Sequence, residues 1–282
     1  MNYRHAFHAG NFADVVKHAV LARIIAHLKE KPAAFRVIDT HAGAGAYDLA
    51  AVEASRTGEW RAGIGRLMGA QLAPPVHQLL EPYLDVVAAH NPDGLKTYPG
   101  SPVLAQSWLR AQDRLVACER EPGTARSLAA RLRGDNRAKA VAIDGYTALN
   151  AYVPPKERRG LVLIDPPFEQ PDEQDRLVQG LAGAHRKWPT GIYALWYPIK
   201  DTSETERFAR RLAWLGIARM LRAEITLGGK GKERLRGSGL FLVNPPWKLE
   251  NELAVLLPVL AGVLADAPGQ GRSRIGWLTP EK

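Results

Sequence analysis

Sulfur is scarce in this chain, with one cysteine, Cys118, and three methionines among 282 residues. A single cysteine excludes an intramolecular disulfide and fits a reducing compartment. Long apolar runs are missing as well, since no window approaches the ~18 consecutive apolar residues of a membrane span. The start, Met1-Asn2-Tyr3-Arg4-His5, sets no apolar segment behind its basic residue. No secretory signal is therefore expected, and the cytoplasm is the expected location. His5, His8 and His18 have no paired cysteines and no helical His-x-x-x-His beside them, so no metal site is expected.

Acidic charge is the remaining deficit. Against 38 basic residues stand 29 acidic ones, giving a net charge of +9 and a pI near 9.7. Such a balance favours a polyanionic partner and excludes nothing about the fold. The excess concentrates between Arg207 and Arg236, where nine basic residues face only Glu224 and Glu233. A solvated helix face would account for it, but contact with a nucleic-acid backbone is the better reading. With 46% hydrophobic and 24% charged residues, the chain has the composition of a globular protein. Its length suits one large domain, or one domain carrying an insertion.

Apolar residues recur at helical spacing from Asn11 to Lys29, with Asn11 as cap, Asp14 in the first turn, and Lys29, Lys31 and Pro32 closing the helix. Ahead of it, Tyr3 to Gly10 mixes aromatic, basic and imidazole groups. Such a tail could stack on bases and pair with phosphate, or pack on the core. Phe35–Thr40 then reads as a strand running into His41-Ala42-Gly43-Ala44-Gly45, a glycine-rich turn that lets backbone approach a ligand. It is not the dinucleotide G-x-G-x-x-G pattern.

Residues 49–98 break this rhythm with helical patches around Ile64–Leu72 and Val76–Ala89, several prolines and no convincing strand. They read as a small inserted helical subdomain, the parent domain comprising 1–48 and 99–282. The pattern resumes with Ser101 as a cap and Pro102 as first residue of a helix. Strands follow at Arg114–Cys118, Lys139–Ile143 and Leu161–Ile164, ending at Glu119, Asp144-Gly145 and Asp165. Further strands are expected at Gly191–Tyr197 (closed by Pro198), Ala218–Leu227 and Gly239–Val243, with a helix at Ser203–Trp214 between the first two. Alternation of this kind predicts an α/β fold with a parallel sheet and right-handed crossovers, the last two strands forming a hairpin.

The most informative stretch is Leu161-Val162-Leu163-Ile164-Asp165-Pro166-Pro167-Phe168. A buried strand stops at an acid, two prolines and a ring, because the prolines remove two backbone donors and fix φ. In an open α/β sheet ligands bind outside the carboxyl ends of the strands. A carboxylate, a free carbonyl and a flat ring at such a corner suit a planar amine.

A glycine-rich turn after strand one, acids after strands two and three, and Asp-Pro-Pro-Phe after strand four together resemble a class I S-adenosylmethionine-dependent methyltransferase. The corner is similar to the Asp/Asn-Pro-Pro-aromatic signature of amino-group methyltransferases. Five blocks, beginning at Tyr3, Asp39, Tyr98, Gly191 and Asn244 and ending at Leu249, resemble the large-subunit ribosomal RNA adenine-N6 methyltransferase J family. That resemblance implies a Rossmann-like seven-stranded sheet with an antiparallel seventh strand. It also implies methylation of one adenine in 23S rRNA, free or incompletely assembled, with S-adenosyl-L-methionine as cofactor.

It implies roles as well. Asp165 and the Pro166 carbonyl would accept from the two N–H groups of the adenine amine, favouring a pyramidal nitrogen, while Phe168 stacks on the base. Glu119 would take the ribose hydroxyls of the cofactor, and Asp144 and Gly145 its adenine. His41, Gly43 and Gly45 would line the methionine end, with Ser101 and His18 nearby. Tyr3 and Lys17 would meet the RNA, and the charge of the basic segment itself places Arg234 and Arg236 at the phosphates. Without the resemblance, Ser101 would simply cap its helix and His18 would be a polar-face residue. Asn244-Pro245-Pro246-Trp247 also fits the corner signature, but an antiparallel strand puts it at the opposite sheet edge. A protein-glutamine N5-methyltransferase, a DNA adenine methyltransferase and a non-catalytic RNA-binding protein on the same scaffold stand as alternatives.

Overall fold

The structure is a computed structural model that describes residues 5–228 and 235–280. Tyr3 and Arg234, with Lys230 and Lys232, therefore lie outside the described residues. Helix α1 (Phe12–Lys29) starts where the Asn11 side chain accepts from the N–H groups of Ala13 and Asp14, each at 3.0 Å. Strand β1 (Arg36–Asp39) follows. A ribbon of β2 (Ala46–Asp48) and β3 (Thr97–Pro99) then closes the base of a segment holding α2 (Val52–Thr57), α3 (Arg66–Met68) and α4 (Pro74–Ala89). These strands have three residues each, too few for alternation to register in the sequence.

From there the chain alternates: α5 (Ser101–Trp108), β4 (Arg114–Glu119), α6 (Pro122–Leu132), β5 (Ala138–Ala142), α7 (Gly145–Tyr152) and β6 (Gly160–Ile164). It continues through α8 (Glu173–Lys187), β7 (Ile192–Ile199), α9 (Thr202–Ala213), β8 (Met220–Thr226), β9 (Gly237–Val243), α10 (Leu249–Leu264) and β10 (Arg272–Thr279).

The main sheet runs β10-β8-β9-β7-β6-β1-β4-β5. Among the described residues it has eight strands rather than the expected seven. The eighth, β10, pairs antiparallel with β8 at the outer edge; its first three residues are exposed, so it shows no apolar alternation in the sequence. The central pairs β6–β1, β1–β4 and β4–β5 are parallel, whereas β9 runs antiparallel to both β7 and β8. Successive side chains divide between two faces. Val37, Leu161 and Leu163 join the core beneath α1, α4, α5 and α10, while Ile38, Val162 and Ile164 pack with Leu177, Leu181 and Phe208 of α8 and α9.

Three local readings change. Helix α1 is buried on nearly all sides, packed against α4, α5, α10 and β9, so Lys17 and His18 are interior residues and not members of a polar face. Gly100, not Ser101, is the N-cap of α5. Strand β7 does not stop before Pro198 but runs through it to Ile199. A proline is tolerated there because β6 pairs with β7 only as far as Leu195, leaving one side of β7 open.

The helices of segment 49–98 bury Ile64, Leu67, Val76, Leu80, Tyr83 and Val87 in the same core as α1. Among the described residues, no helix is long and apolar enough to cross a membrane.

Candidate active site

Strands β6, β1, β4 and β5 are neighbours in the sheet and all point the same way. Their carboxyl ends consequently bring Asp165, Asp39, Glu119 and Asp144 to one edge, side by side in that order. Asp39 is the member that sequence reasoning misses. It ends β1 as the other acids end their strands, so the signal is there to be read. It is 1% exposed, and Ser101 Oγ donates to its Oδ2 at 2.7 Å, while Oδ1 is buried without a hydrogen-bond partner among the described residues. Burial pushes its pKa up to about 6, opposed by the Ser101 hydrogen bond. The Ser101 hydroxyl is thus spent on Asp39 and not on a helix end. A buried carboxylate with one idle oxygen fits an ammonium group, such as the one on a methionine moiety.

Asp165 stands where β6 ends in its two prolines. The Lys17 ammonium donates to Asp165 Oδ2 and lies 2.8 Å from Asp14 Oδ1. Asp14, in turn, accepts at Oδ2 from His5 Nε2 (3.0 Å) and from the Gly10 N–H (2.9 Å). Burial works against the Lys17 charge, but Asp14 and Asp165 together hold its pKa well above the ordinary lysine value. Asp14 does not stand out in the sequence because an acid in a first helical turn has a local explanation. The Phe168 backbone takes φ +52°, in the left-handed region that aromatic residues rarely adopt. That turn brings the ring edge-on to Trp196, centroids 5.7 Å apart.

On the β1 turn, Gly43 and Gly45 both take positive φ. Glu119 Oε2 accepts from the Gly43 N–H at 3.0 Å, tying the turn to the end of β4. Glu119 Oε1 accepts from the Glu121 N–H at 2.7 Å. Asp144 Oδ1 caps α7 through the N–H groups of Tyr146 and Thr147, and its Oδ2 takes Arg176 Nη2 at 3.1 Å. Arg176 also lies 4.3 Å from the centroid of the Tyr146 ring. This arginine belongs to no motif, and no local pattern marks it. His41 covers Gly145 so closely that a Cβ there would come within 2.4 Å of the Thr40 carbonyl and 2.5 Å of the His41 ring. Burial lowers the His41 pKa to about 4, so the ring is neutral at pH 7.

His18 is fully buried. Its Nδ1 lies 2.6 Å from Tyr98 Oη, which in turn lies 2.9 Å from Tyr83 Oη on α4, and its Nε2 has no hydrogen-bond partner among the described residues. Burial lowers its pKa to about 3. His5, His8 and His18 thus point to three different partners, Asp14, Glu59 and Tyr98. Cys118 is a buried strand residue whose thiol pKa burial pushes up to about 12, which disfavours the thiolate near neutrality.

Asn244 lies at the other end of the sheet. Its strand β9 ends beside Tyr193, the beginning of β7, and its Nδ2 donates to the carbonyls of Pro189 (2.7 Å) and Gly191 (2.9 Å). The end of β8 and the start of β9, by contrast, lie at the acidic edge, where the Arg236 N–H donates to the Ile199 carbonyl at the end of β7. Arg236 is exposed there. The basic segment is less uniform than its composition implies. Arg222 is buried between Glu206 and Glu224, and Arg211 pairs with Asp175. Fewer of its charges face solvent than the composition suggests.

A sheet of this order, with acids ending four adjacent parallel strands and a prolyl corner on one of them, defines a class I methyltransferase, an enzyme fold built for a methyl donor of the S-adenosylmethionine type. Comparison with known proteins is specific. The chain belongs to the family described as ribosomal RNA large subunit methyltransferase D, RlmJ, whose profile matches residues 32–279. It is 42% identical to ribosomal RNA large subunit methyltransferase J of Escherichia coli (strain K12), and the match covers all of both chains. The corresponding Haemophilus influenzae protein is 38% identical, again over the whole of both chains. A crystal structure of a Legionella pneumophila protein superposes with a TM-score of 0.87 at 35% identity, covering 95% of this chain and 98% of that one.

Proposed function

We propose that this enzyme transfers a methyl group from S-adenosyl-L-methionine to the exocyclic N6 of one adenine in 23S ribosomal RNA. The observation that carries the reading is the Asp165 corner beside a row of three further acids, on a chain that belongs to a ribosomal RNA methyltransferase family. The cofactor supplies an already activated methyl group on a sulfonium. Its binding falls to Glu119 at the ribose hydroxyls, Asp144 and Gly145 at the adenine, and His41, Gly43, Gly45, Ser101 and His18 toward the methionine end. Asp39, with its idle oxygen, is added to that set as the acceptor for the amino group.

The adenine amine is a poor nucleophile because its lone pair is delocalised into the ring. The Asp165 carboxylate and the Pro166 carbonyl accept from its two N–H groups and favour the pyramidal geometry reached in the transition state. Phe168 stacks on the base, and alignment of amine and donor lowers the barrier further. Lys17 contacts Asp165, and Tyr3, Arg234 and Arg236 engage the RNA. Residues 49–98 form an inserted subdomain that braces the N-terminal segment. In support, Glu59 takes both His8 and Asn11, Thr57 Oγ1 donates to the Phe7 carbonyl, and the Ile64 N–H donates to the Gly10 carbonyl.

The test is to incubate the protein with methyl-labelled cofactor and, separately, naked 23S rRNA, assembled large subunits, duplex DNA and release-factor protein. Label in one adenine of naked 23S rRNA is expected. Label confined to DNA or protein, or absent from every RNA, would remove the proposal.

A further inference from the structure

We propose that Asp14 is a positioning residue that shares the Lys17 ammonium with Asp165 and retains it when the Asp165 carboxylate turns to the substrate amine. The inference rests on the reading of Asp165 as the amine acceptor. A difficulty in that reading motivates it. Lys17 already donates to Asp165 Oδ2, so an arriving amine meets a carboxylate in use. Were this pair exclusive, substrate binding would leave the lysine uncompensated. Lys17 is 4% exposed, and an unpaired charge there would be costly.

Asp14 removes the difficulty. An ammonium carries three donors, and Asp14 Oδ1 receives one at 2.8 Å. Asp14 cannot rotate to follow another partner, because its Oδ2 is held by His5 Nε2 and the Gly10 N–H. Its side chain is only 2% exposed, so water does not substitute for it. Burial raises its pKa, but His5 and Lys17 pull it well below the ordinary carboxylate value, so it remains ionised. Two carboxylates therefore face one ammonium. The Lys17 charge is divided between them, and Asp165 keeps lone-pair capacity for the amine. Through His5 and Gly10, the same carboxylate also couples the N-terminal segment to the corner, across 148 residues of sequence between Lys17 and Asp165.

The test compares Asp14→Asn in the otherwise unaltered chain and in a Lys17→Met background, with 23S rRNA as acceptor. In the unaltered background kcat is expected to fall ~10–100-fold while the KM for the cofactor stays within about twofold. In the Lys17→Met background the further loss should be under about threefold, since Asp14 acts through Lys17. Equal losses in both backgrounds, or an unchanged kcat, would overturn the proposal.

A second readout is independent of turnover: the side-chain 15N signal of Lys17, followed by NMR in the full chain. It should persist with slow proton exchange in Asp165→Asn, held by Asp14, and be lost to fast exchange only when Asp14→Asn is added to that change. Loss of the signal in Asp165→Asn would overturn the proposal even if Asp14→Asn failed to fold. Failure of the unaltered chain to methylate any RNA would instead remove the functional reading, which the NMR result leaves distinguishable.

Discussion

Ser101 Oγ donates to Asp39 Oδ2 at 2.7 Å, and both residues are buried where β1 and α5 meet. The bond satisfies one carboxylate oxygen and leaves the other idle, so Asp39 is held ready for a cation while destabilising the fold that holds it. Its pKa is raised from 3.8 in the unfolded chain to about 6 in the folded one. The folded state therefore binds the extra proton, and the contribution of Asp39 to stability is fully present below about pH 4 and is lost as pH rises through about 6.

Asp39→Asn should accordingly raise the melting temperature of the ligand-free protein at pH 7, by the equivalent of ~1–3 kcal/mol. The same change should weaken cofactor binding. Calorimetric titration across pH 5–8 should show affinity for S-adenosylmethionine rising as Asp39 ionises near pH 6 in the unaltered chain, and a flat profile in the variant. A variant less stable than the parent at pH 7 would contradict this account.

The two prolyl corners give opposite expectations. Asp165→Ala should lower kcat by ~10²–10³ with little change in melting temperature, the usual consequence of losing one transition-state acceptor. Asn244→Ala should leave kcat near that of the parent. It should cost roughly 1–3 kcal/mol of stability, because two backbone carbonyls lose the amide that joins β9 to the start of β7. Denaturant melts and single-turnover assays on both variants check the pair, and a reversal of the two effects would move the active site to the other edge.

Arg236 and Arg222 belong to the same basic segment but should behave differently. Removing the charge at Arg236, together with Arg234, should weaken RNA binding uniformly and lower the slope of log affinity against log salt by about one for each phosphate no longer neutralised. Arg222→Ala should instead destabilise the protein by several kcal/mol, since it leaves buried Glu224 with only the Tyr197 hydroxyl at 2.7 Å and Arg274 at 3.9 Å. Filter-binding titrations over a range of salt, alongside melts, separate the two. An unchanged salt slope in the Arg234/Arg236 variant would exclude that surface.

Gly63 tests the proposed role of the inserted segment. A Cβ at this position would lie 2.1 Å from the Gly10 carbonyl oxygen and 2.6 Å from the Asn11 carbonyl carbon, both backbone atoms that cannot step aside cheaply. Gly63→Ala should displace the start of α1 and with it the His5–Asp14 hydrogen bond. Activity on RNA should fall at least ~10-fold while cofactor affinity is kept. Retention of full activity would mean that the segment and the N-terminal residues are not mechanically joined.

Much of the sheet is legible in the sequence because apolar runs with abrupt breakers mark buried strands well: Leu161–Ile164 ends at two prolines, and Arg114–Glu119 at an acid. What escapes has physical reasons. β10 lies at an edge and exposes its first three residues, so it carries no apolar stripe. The interior position of Lys17 and His18 depends on α1 being enclosed on both sides, a tertiary fact that helical periodicity cannot carry. Ser101 resembles a cap because caps are local, whereas its actual partner is 62 residues away. Of the site, the strand-end carboxylates can be read from local pattern, but the Asp14–Lys17–Asp165 relay requires the start and the middle of the chain to meet.

Four carboxylates along one edge, with Lys17 as a buried counter-charge at Asp165 and Arg176 paired with Asp144, lead to an expected order of events. RNA reaching that edge first would bring phosphates toward Asp165, Asp39, Glu119 and Asp144, and like charges at short range repel. A donor whose ammonium and sulfonium outnumber its one carboxylate cancels part of this field, so the acceptor RNA should bind more tightly to the loaded enzyme than to the bare one. Loss of the sulfonium charge on transfer restores the repulsion and favours departure of the methylated strand. RNA affinity measured with a sulfonium-bearing donor analogue should therefore exceed that measured with the uncharged thioether product, by a margin that shrinks as salt rises. On that account the acidic edge would time the arrival and departure of the RNA as well as hold the donor.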